Sequence, residues 1–433
     1  MANRGSLYIL GIFLPLWTFL IYIFFKQIFL MRKSQNIDIS YTYLSQRAKE
    51  QYDLSRRRNY FPDLKLSRNS YEDYTLDYRR DDEFGCFYQR ENATILMLVR
   101  NSELEGALDS MRSLEDRFNK RYHYDWTFLN DVPFDQEFIE ATTAMASGKA
   151  QYALIPPEDW DRPQWINETL FEARLHEMET GGVLYGGSKS YRNMCRFNSG
   201  FFFRQSILDN YDYYFRVEPN VEYYCDFPYD PFRVMRLKGK KYGFVISLYE
   251  YEETIPTLWD TVEEYLETNE GRILSKEDSA YAFLTDTDLV GKYYPIVDSN
   301  SNYNLCHFWS NFEIGDLNFF RSDEYKTFFE TLDSKGGFYY ERWGDAPVHS
   351  IGVSLLLRPD EIIHFDELGY FHSPFGTCPA SHGVRLDQRC RCKSDAESVI
   401  DIEPHSCLMR WWKNGSGKYF LKEVQSQNSE NVL

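Results

Sequence analysis

The chain has none of the glycine-rich loops that commonly cradle nucleotide phosphates. Neither a G-x-G-x-x-G fingerprint nor a Walker loop occurs in its first strand-helix-strand unit, which removes the common nicotinamide-binding and P-loop readings. Basic charge is in short supply. Lys and Arg number 48 against 66 Asp and Glu, giving a net charge of -18, and so acidic a chain is a poor candidate for nucleic-acid binding. No internal repeat is found, which argues against a solenoid or propeller. None of the eight cysteines stands in a Cys-x-x-Cys knuckle, the spacing a structural zinc site usually takes.

What is present is unevenly spread. Residues 7–25, LYILGIFLPLWTFLIYIFF, form a run of 19 residues without a charge, about the length a helix needs to cross a bilayer. Lys26 interrupts it, and apolar character then continues to Met31. A cleaved signal peptide is the rival reading, but the run is long for one and lacks a clean small-x-small cleavage site. Residues 32–80 are polar, rich in Tyr, Arg, Asn and Ser, and show no sustained apolar period, as expected of a stem. Residues 1–31 carry +2 and residues 32–80 carry +4, leaving -24 for the rest of the chain. Topology is ambiguous on charge alone. Lys26, Arg32 and Lys33 slightly favour a cytoplasmic body. Three sequons, at Asn92, Asn167 and Asn414, point to the opposite, luminal side.

The body, residues 81–433, reads as mixed α/β without a clear internal boundary. Residues 94–99 have the pattern of a buried strand. A helix is expected from about Glu103 to Asn119, because Leu104, Leu108, Met111, Leu114 and Phe118 recur at three- and four-residue steps. A second strand follows over about Tyr124–Leu129. Such a β-α-β unit places Arg100 and Asn101 at a carboxyl-terminal strand edge, where open α/β sheets bind ligands. Helices are also expected over 168–180, 258–267 and 322–332. Strands are expected at VLYGG, FNSGFFF, YDYYFRV and KYGFVISLY, and surface loops over 268–304. The eight cysteines allow up to four disulfides, and a zinc site using the late cysteines with His382 or His405 is the rival.

Four segments hold the chemically useful residues. In YDYYFRVEPNVEYYCDFPYDPF, Arg216, Glu218, Glu222, Asp226 and Asp230 stand among large aromatics, and Pro219 biases Glu218 toward an extended backbone. A carboxylate at a strand end can hold a hard divalent cation; a solvated surface turn is the plainer alternative. In YNLCHFWSNFEIGDLNFFRSDEY, Glu313 lies near Trp309 and Phe312, either in a low-dielectric pocket suited to acid/base or nucleophilic work or at the rim of a core. GGFYYERWGDAPVHSIGVSLLL holds Asp345, and FDELGYFHSPFGTCP holds His372. Aromatic faces beside carboxylates make a sugar-handling cleft plausible.

At these residues the chain resembles a known family, the fungal Golgi α-1,2-mannosyltransferases of glycosyltransferase family 15. The resemblance is carried by RNSELEGALDSMRSLEDRFNKRYHYDWTFLND, YGGSKSYRNMCRFNSGFFF and the four segments above, over roughly residues 86–380. It implies a GT-A-like α/β fold, a mixed sheet flanked by helices, preceded by one transmembrane helix. It implies a type II membrane protein of the Golgi: residues 1–6 a cytoplasmic tail, 7–31 a signal anchor, 32–80 a luminal stem and 81–433 the catalytic domain. The basic residues after the span depart from that topology. The implied reaction is a retaining transfer of mannose from GDP-mannose to the 2-hydroxyl of mannose on O-linked or N-linked glycans of a glycoprotein acceptor, with Mn2+ as cofactor and no nucleic acid. By resemblance, Glu218 and His372 are the Mn2+ ligands, Glu313 the catalytic nucleophile and Asp345 a catalytic-site group. Tyr191, Arg216 and Glu218 are donor-binding residues. A mannose-specific glycosidase and an inactive mannan-binding protein on the same fold are the alternatives.

Overall fold

A computed structural model describes residues 90–415, apart from 272, 287–301, 381, 395 and 402. The expected tail, anchor and stem at 1–80 lie outside the described residues. Among the described residues, no helix is long and apolar enough to cross a membrane.

The centre is a seven-stranded mixed sheet in the order β10-β6-β9-β4-β1-β2-β3. Its members are β1 (Ala93–Leu98), β2 (Asp125–Asn130), β3 (Ala150–Leu154), β4 (Tyr213–Arg216), β6 (Tyr242–Phe244), β9 (Glu313–Asp316) and β10 (Ile362–His364). β4, β1, β2 and β3 run parallel, whereas β9 is antiparallel to both β4 and β6. A three-stranded antiparallel sheet joins β5 (Glu222–Tyr223), β11 (Tyr370–His372) and β12 (Phe375–Thr377). A third sheet pairs β7 (Ser247–Tyr249) with β8 (Cys306–Phe308).

β1 is a near-continuous apolar run because the sheet is covered on both faces. The expected β-α-β unit forms. Its helix is composite: a 3-10 turn Asn101–Glu103, the α-helix Leu104–Leu114 and a π turn Glu115–Asn119. Ala107, Met111, Leu114 and Phe118 turn inward and are fully buried, while Leu104 and Leu108 are only partly covered. Each buried apolar side chain of this size contributes about 1.5–3 kcal/mol.

Three sequence-based expectations fail for identifiable reasons. VLYGG is a turn, not a strand; Gly182 adopts φ +74° and closes the helix Glu168–Thr180. FNSGFFF is the end of a helix, Lys189–Gly200, followed by a 3-10 turn. The Ser188 hydroxyl caps that helix by accepting from the Tyr191 N–H, and Gly200 lets the Phe329 ring lie where a Cβ would stand. KYGFVISLY breaks into β6 and β7, which belong to different sheets. Within 268–304 a short helix, Tyr281–Thr285, appears among the loops.

The cysteines resolve as disulfides. Cys225–Cys390 and Cys306–Cys407 tie the carboxyl-terminal segment to the body, Cys378–Cys392 closes a short loop within that segment, and Cys195 is a buried free thiol. The zinc alternative is thereby excluded for the late cysteines: a sulfur bonded to sulfur has no thiolate to offer a metal. Cys86 lies outside the described residues.

Candidate active site

The carboxyl ends of β1, β2 and β4 open onto a cleft enclosing about 810 Å³ of space, its open mouth included. That is within the range of small-molecule sites. Arg100 and Glu103 follow β1, Asn130 ends β2 with Asp131 after it, and Arg216 ends β4 with Glu218 two residues on; Glu313 completes the floor. Asn130 is buried, and its side-chain Nδ2 finds no hydrogen-bond acceptor among the described residues. A buried donor without a partner on the wall of a cleft is disposed to meet a polar ligand.

The charged centre is built around Arg216. In the antiparallel β4–β9 pair, Arg216 stands in register with Glu313. Its Nη1 donates to Asp345 Oδ2 at 2.5 Å and lies 3.9 Å from Glu313 Oε1, while its Nη2 donates to Glu218 Oε1 at 2.5 Å. Asp345 opens the helix Asp345–Leu356 and also accepts from the Ser310 hydroxyl at 2.8 Å. Burial works against the Arg216 charge, but Asp345, Glu218 and Glu313 together hold its pKa well above the ordinary value. Burial likewise pushes Asp345 up, but Arg216, His349 and the Ser310 hydroxyl together outweigh it, so the acid stays below its usual range.

Glu218 and His372 meet from two separate sheets. Glu218 follows β4, and His372 ends β11; His372 Nε2 is 3.4 Å from Glu218 Oε2. His372 Nδ1 lies 3.0 Å from the Ser373 carbonyl oxygen, so Nδ1 carries the hydrogen and Nε2 is directed at the carboxylate. Burial raises the Glu218 pKa, but Arg216 and then His372 bring it down to about 2. Burial lowers that of His372, and Glu218 more than reverses the shift. The donor chemistry fits a divalent ion: one carboxylate, one imidazole whose far nitrogen is fixed by a carbonyl, and partial exposure of both side chains. Three carboxylates surround a single guanidinium here, so a further cation is electrostatically welcome. No group of three or more metal-ligating side chains occurs among the described residues, so other ligands of such an ion come from substrate or water.

Glu313 is almost completely buried, yet it reaches the cleft. Its Oε1 accepts from the Tyr214 hydroxyl at 2.9 Å, and its Oε2 accepts from the Tyr242 hydroxyl at 3.0 Å and faces His349 Nδ1 at 2.9 Å. Sequence reading passed over these three partners and Ser310. A signal existed for His349, which follows Asp345 by four residues and so shares its helix face. Tyr191 does not line the cleft, although Asp345 is among the charges acting on its phenol. Its hydroxyl accepts from Arg342 Nη1 at 3.2 Å, and Met194, Phe197 and Asn198 of the same helix line the cleft in its place. Burial, then the Cys195 thiol, pushes the Tyr191 phenol well above its ordinary value.

The comparisons with known proteins agree with this architecture. Residues 46–416 match the model of glycosyltransferase family 15, described as glycolipid 2-alpha-mannosyltransferase. The chain is 85% identical over 427 residues to the probable mannosyltransferase YUR1 of Saccharomyces cerevisiae, covering 99% of this chain and 100% of that protein. It is 46% identical over 323 residues to the alpha-1,2 mannosyltransferase KTR1 of the same yeast, covering 75% of this chain and 78% of that one. Among solved structures, the Mn/GDP form of core-mannan synthase A (CmsA/Ktr4) from Aspergillus fumigatus superposes with a TM-score of 0.70 at 39% identity, covering 76% of this chain and 87% of that one. The mannosyltransferase Ktr4p of S. cerevisiae in complex with GDP gives a TM-score of 0.70 at 34% identity, covering 79% of this chain and 91% of that one. The mixed α/β body, the cleft at its strand ends and the match across 46–416 establish that the chain belongs to glycosyltransferase family 15, the glycolipid 2-alpha-mannosyltransferases.

Proposed function

We propose that the protein is a retaining α-1,2-mannosyltransferase that moves mannose from GDP-mannose to the 2-hydroxyl of a mannose on O-linked or N-linked glycans of glycoproteins, on a GT-A-like fold. The observation that carries this reading is the meeting of Glu218 with His372 beside Arg216, at the mouth of a cleft whose floor is Glu313. The relatives named above include an alpha-1,2 mannosyltransferase, and the solved neighbours hold GDP, one of them together with manganese.

Glu218 and His372 are the residues that would hold Mn2+. Held there, the ion would supply positive charge to neutralise the diphosphate and stabilise departing GDP. Arg216 keeps Glu218 ionised and aimed, and Arg100 and Asn130 offer a cation and a free donor farther along the cleft. Glu313 presents its carboxylate beneath the anomeric carbon as positive charge develops there. Asp345 fixes Arg216 from the other side. Tyr191, held by Arg342, supports the donor pocket from the neighbouring helix.

Retention then follows by one of two routes. In the first, the C1–O bond to GDP breaks as a Glu313 oxygen bonds to C1, and the acceptor 2-hydroxyl then displaces Glu313 as a free carboxylate, its proton passing to a phosphate oxygen of the released GDP. In the second, the acceptor attacks from the face that GDP leaves, its proton passing to the departing phosphate, and Glu313 only stabilises charge. Trapping a mannosyl-Glu313 adduct supports the first. Substantial turnover by E313A argues against it. Purified protein is to be incubated with GDP-mannose and a mannoside, with and without Mn2+, and the product linkage determined. A new α-1,2 bond is expected; hydrolysis without transfer would indicate a glycosidase, and binding without turnover an inactive mannan binder.

The cellular setting belongs to the same proposal. The charge-free run at 7–25 serves as a signal anchor within 7–31, residues 1–6 as a cytoplasmic tail, 32–80 as a luminal stem, and 81–433 as the catalytic domain in the Golgi lumen. The three disulfides and the exposed sequon residue Asn167 favour a luminal body. Protease protection of the body in intact Golgi vesicles is the test, and digestion without detergent would refute it.

A further inference from the structure

His349 lies between two acceptors. Nε2 is 2.8 Å from the carbonyl oxygen of Asn198, and Nδ1 is 2.9 Å from Glu313 Oε2. A carbonyl can only accept, so Nε2 carries a hydrogen. A neutral ring would then present a bare Nδ1 lone pair to a carboxylate oxygen at hydrogen-bonding distance. One more proton must therefore sit between the two groups.

The surroundings decide where it resides. Glu313 already accepts from the Tyr214 hydroxyl at one oxygen and from the Tyr242 hydroxyl at the other. Burial, and Glu313 next, keep both phenols protonated as donors. Arg216 gives Glu313 a longer ion pair, at 3.9 Å, while it binds Asp345 and Glu218 at 2.5 Å. The rings of Phe202, Phe320 and Tyr325 pack around His349, the Tyr325 hydroxyl is committed to the Ser199 carbonyl, and Asp345 lies one turn back on the helix. Both Glu313 oxygens are thus taken up as acceptors, and His349 Nδ1 is the ring nitrogen that faces one of them directly, so the extra hydrogen is assigned to the imidazole.

We propose that His349 is a positioning residue held as an imidazolium, clamped between the Asn198 carbonyl and Glu313, and that it fixes and charge-balances the carboxylate beneath the reacting sugar. The inference deepens the reading of Glu313 given above and rests on it for its catalytic consequence. Because His349 does not line the cleft, its effect falls on the chemical step and not on donor affinity.

The test uses the full-length protein with ¹⁵N-labelled imidazoles. Long-range nitrogen–proton spectra should show both His349 nitrogens protonated, the resonance being assigned by its loss in H349Q and its displacement in E313Q. In E313Q the ring should fall to the neutral form with hydrogen on Nε2 alone. A bare nitrogen on His349 in the unsubstituted protein would overturn the proposal. Kinetically, H349Q keeps a donor toward Glu313 but removes the charge, and kcat should drop on the order of 10²-fold with KM for GDP-mannose unchanged. Undiminished kcat, or a change confined to KM, refutes the positioning role. If H349Q does not fold, the spectra of the unsubstituted protein and of E313Q still decide the question. Full turnover by E313Q would instead sink the assignment of Glu313 to the anomeric centre, while the spectrum still reports the state of His349.

Discussion

Arg216 and Glu313 face each other across the β4–β9 ladder, yet the guanidinium spends its two short hydrogen bonds on Asp345 and Glu218, at 2.5 Å each. One cation thereby links a helix start and the segment after β4, with the floor carboxylate alongside. R216M would leave the buried Asp345 and the partly exposed Glu218 without their partner, and should destabilise the fold by about 3–5 kcal/mol in denaturant unfolding. R216K keeps the charge but has no planar fork with which to hold both acids. It should retain most of the stability and lose most of the kcat. Equal activity in R216K and the unsubstituted enzyme would show that the bridge is not needed.

Metal dependence should map onto two residues from different sheets. Chelation should abolish mannosyl transfer and added Mn2+ restore it. H372A should weaken Mn2+ binding in the presence of GDP on the order of 10²-fold, close to 3 kcal/mol. Calorimetric titration measures this without reference to turnover. Unchanged affinity in both H372A and E218A would place the ion elsewhere.

Acid sensitivity should arise in part from His307 and His405. Burial lowers the pKa of both imidazoles from 6.5, against the opposing pull of Glu250. The unfolded chain therefore binds these protons more readily than the folded one. Their contribution is complete above the unfolded value of 6.5 and is lost as pH falls below it, toward the lower folded values. Thermal denaturation across that window should show a declining Tm, with a shallower slope in H307N. A slope identical to that of the unsubstituted protein would remove His307 from the account.

The Cys306–Cys407 bridge closes a separation of 101 residues and anchors β8, three residues before Trp309, to the last described helix, Leu408–Asn414. A loop of that size corresponds to about 4–5 kcal/mol of denatured-state entropy in the chain model. C306S/C407S should lower stability by about 2–5 kcal/mol, read by urea unfolding under non-reducing conditions. The Cys378–Cys392 bridge spans only 14 residues and should matter less.

The first β-α-β unit was legible because its signals are local. Apolar periodicity marked β1, and the three- and four-residue rhythm marked the helix after it. Local patterns misled where a tertiary neighbour changed the meaning of a residue. FNSGFFF has strand-forming aromatics, but Ser188 caps a helix into which Phe329 packs against Gly200. KYGFVISLY has the apolar character of one strand, but its two halves find different partner strands, β9 and β10 for one and β8 for the other.

By itself the amino-acid order determined the apolar run at 7–25, the acidic body, the strand-edge position of Arg100 and, through long family-specific segments, the candidates Glu218, Glu313, Asp345 and His372. Only the tertiary structure decided which of them touch. Glu218 and His372 are 154 positions apart and belong to different sheets, so no spacing rule could bring them together. The same holds for the Tyr214, Tyr242 and His349 groups that load Glu313, and for the pairing of the late cysteines. Side-chain contacts between distant segments depend on strand order and helix packing. Those are set by the burial of the whole chain rather than by the residues that later meet.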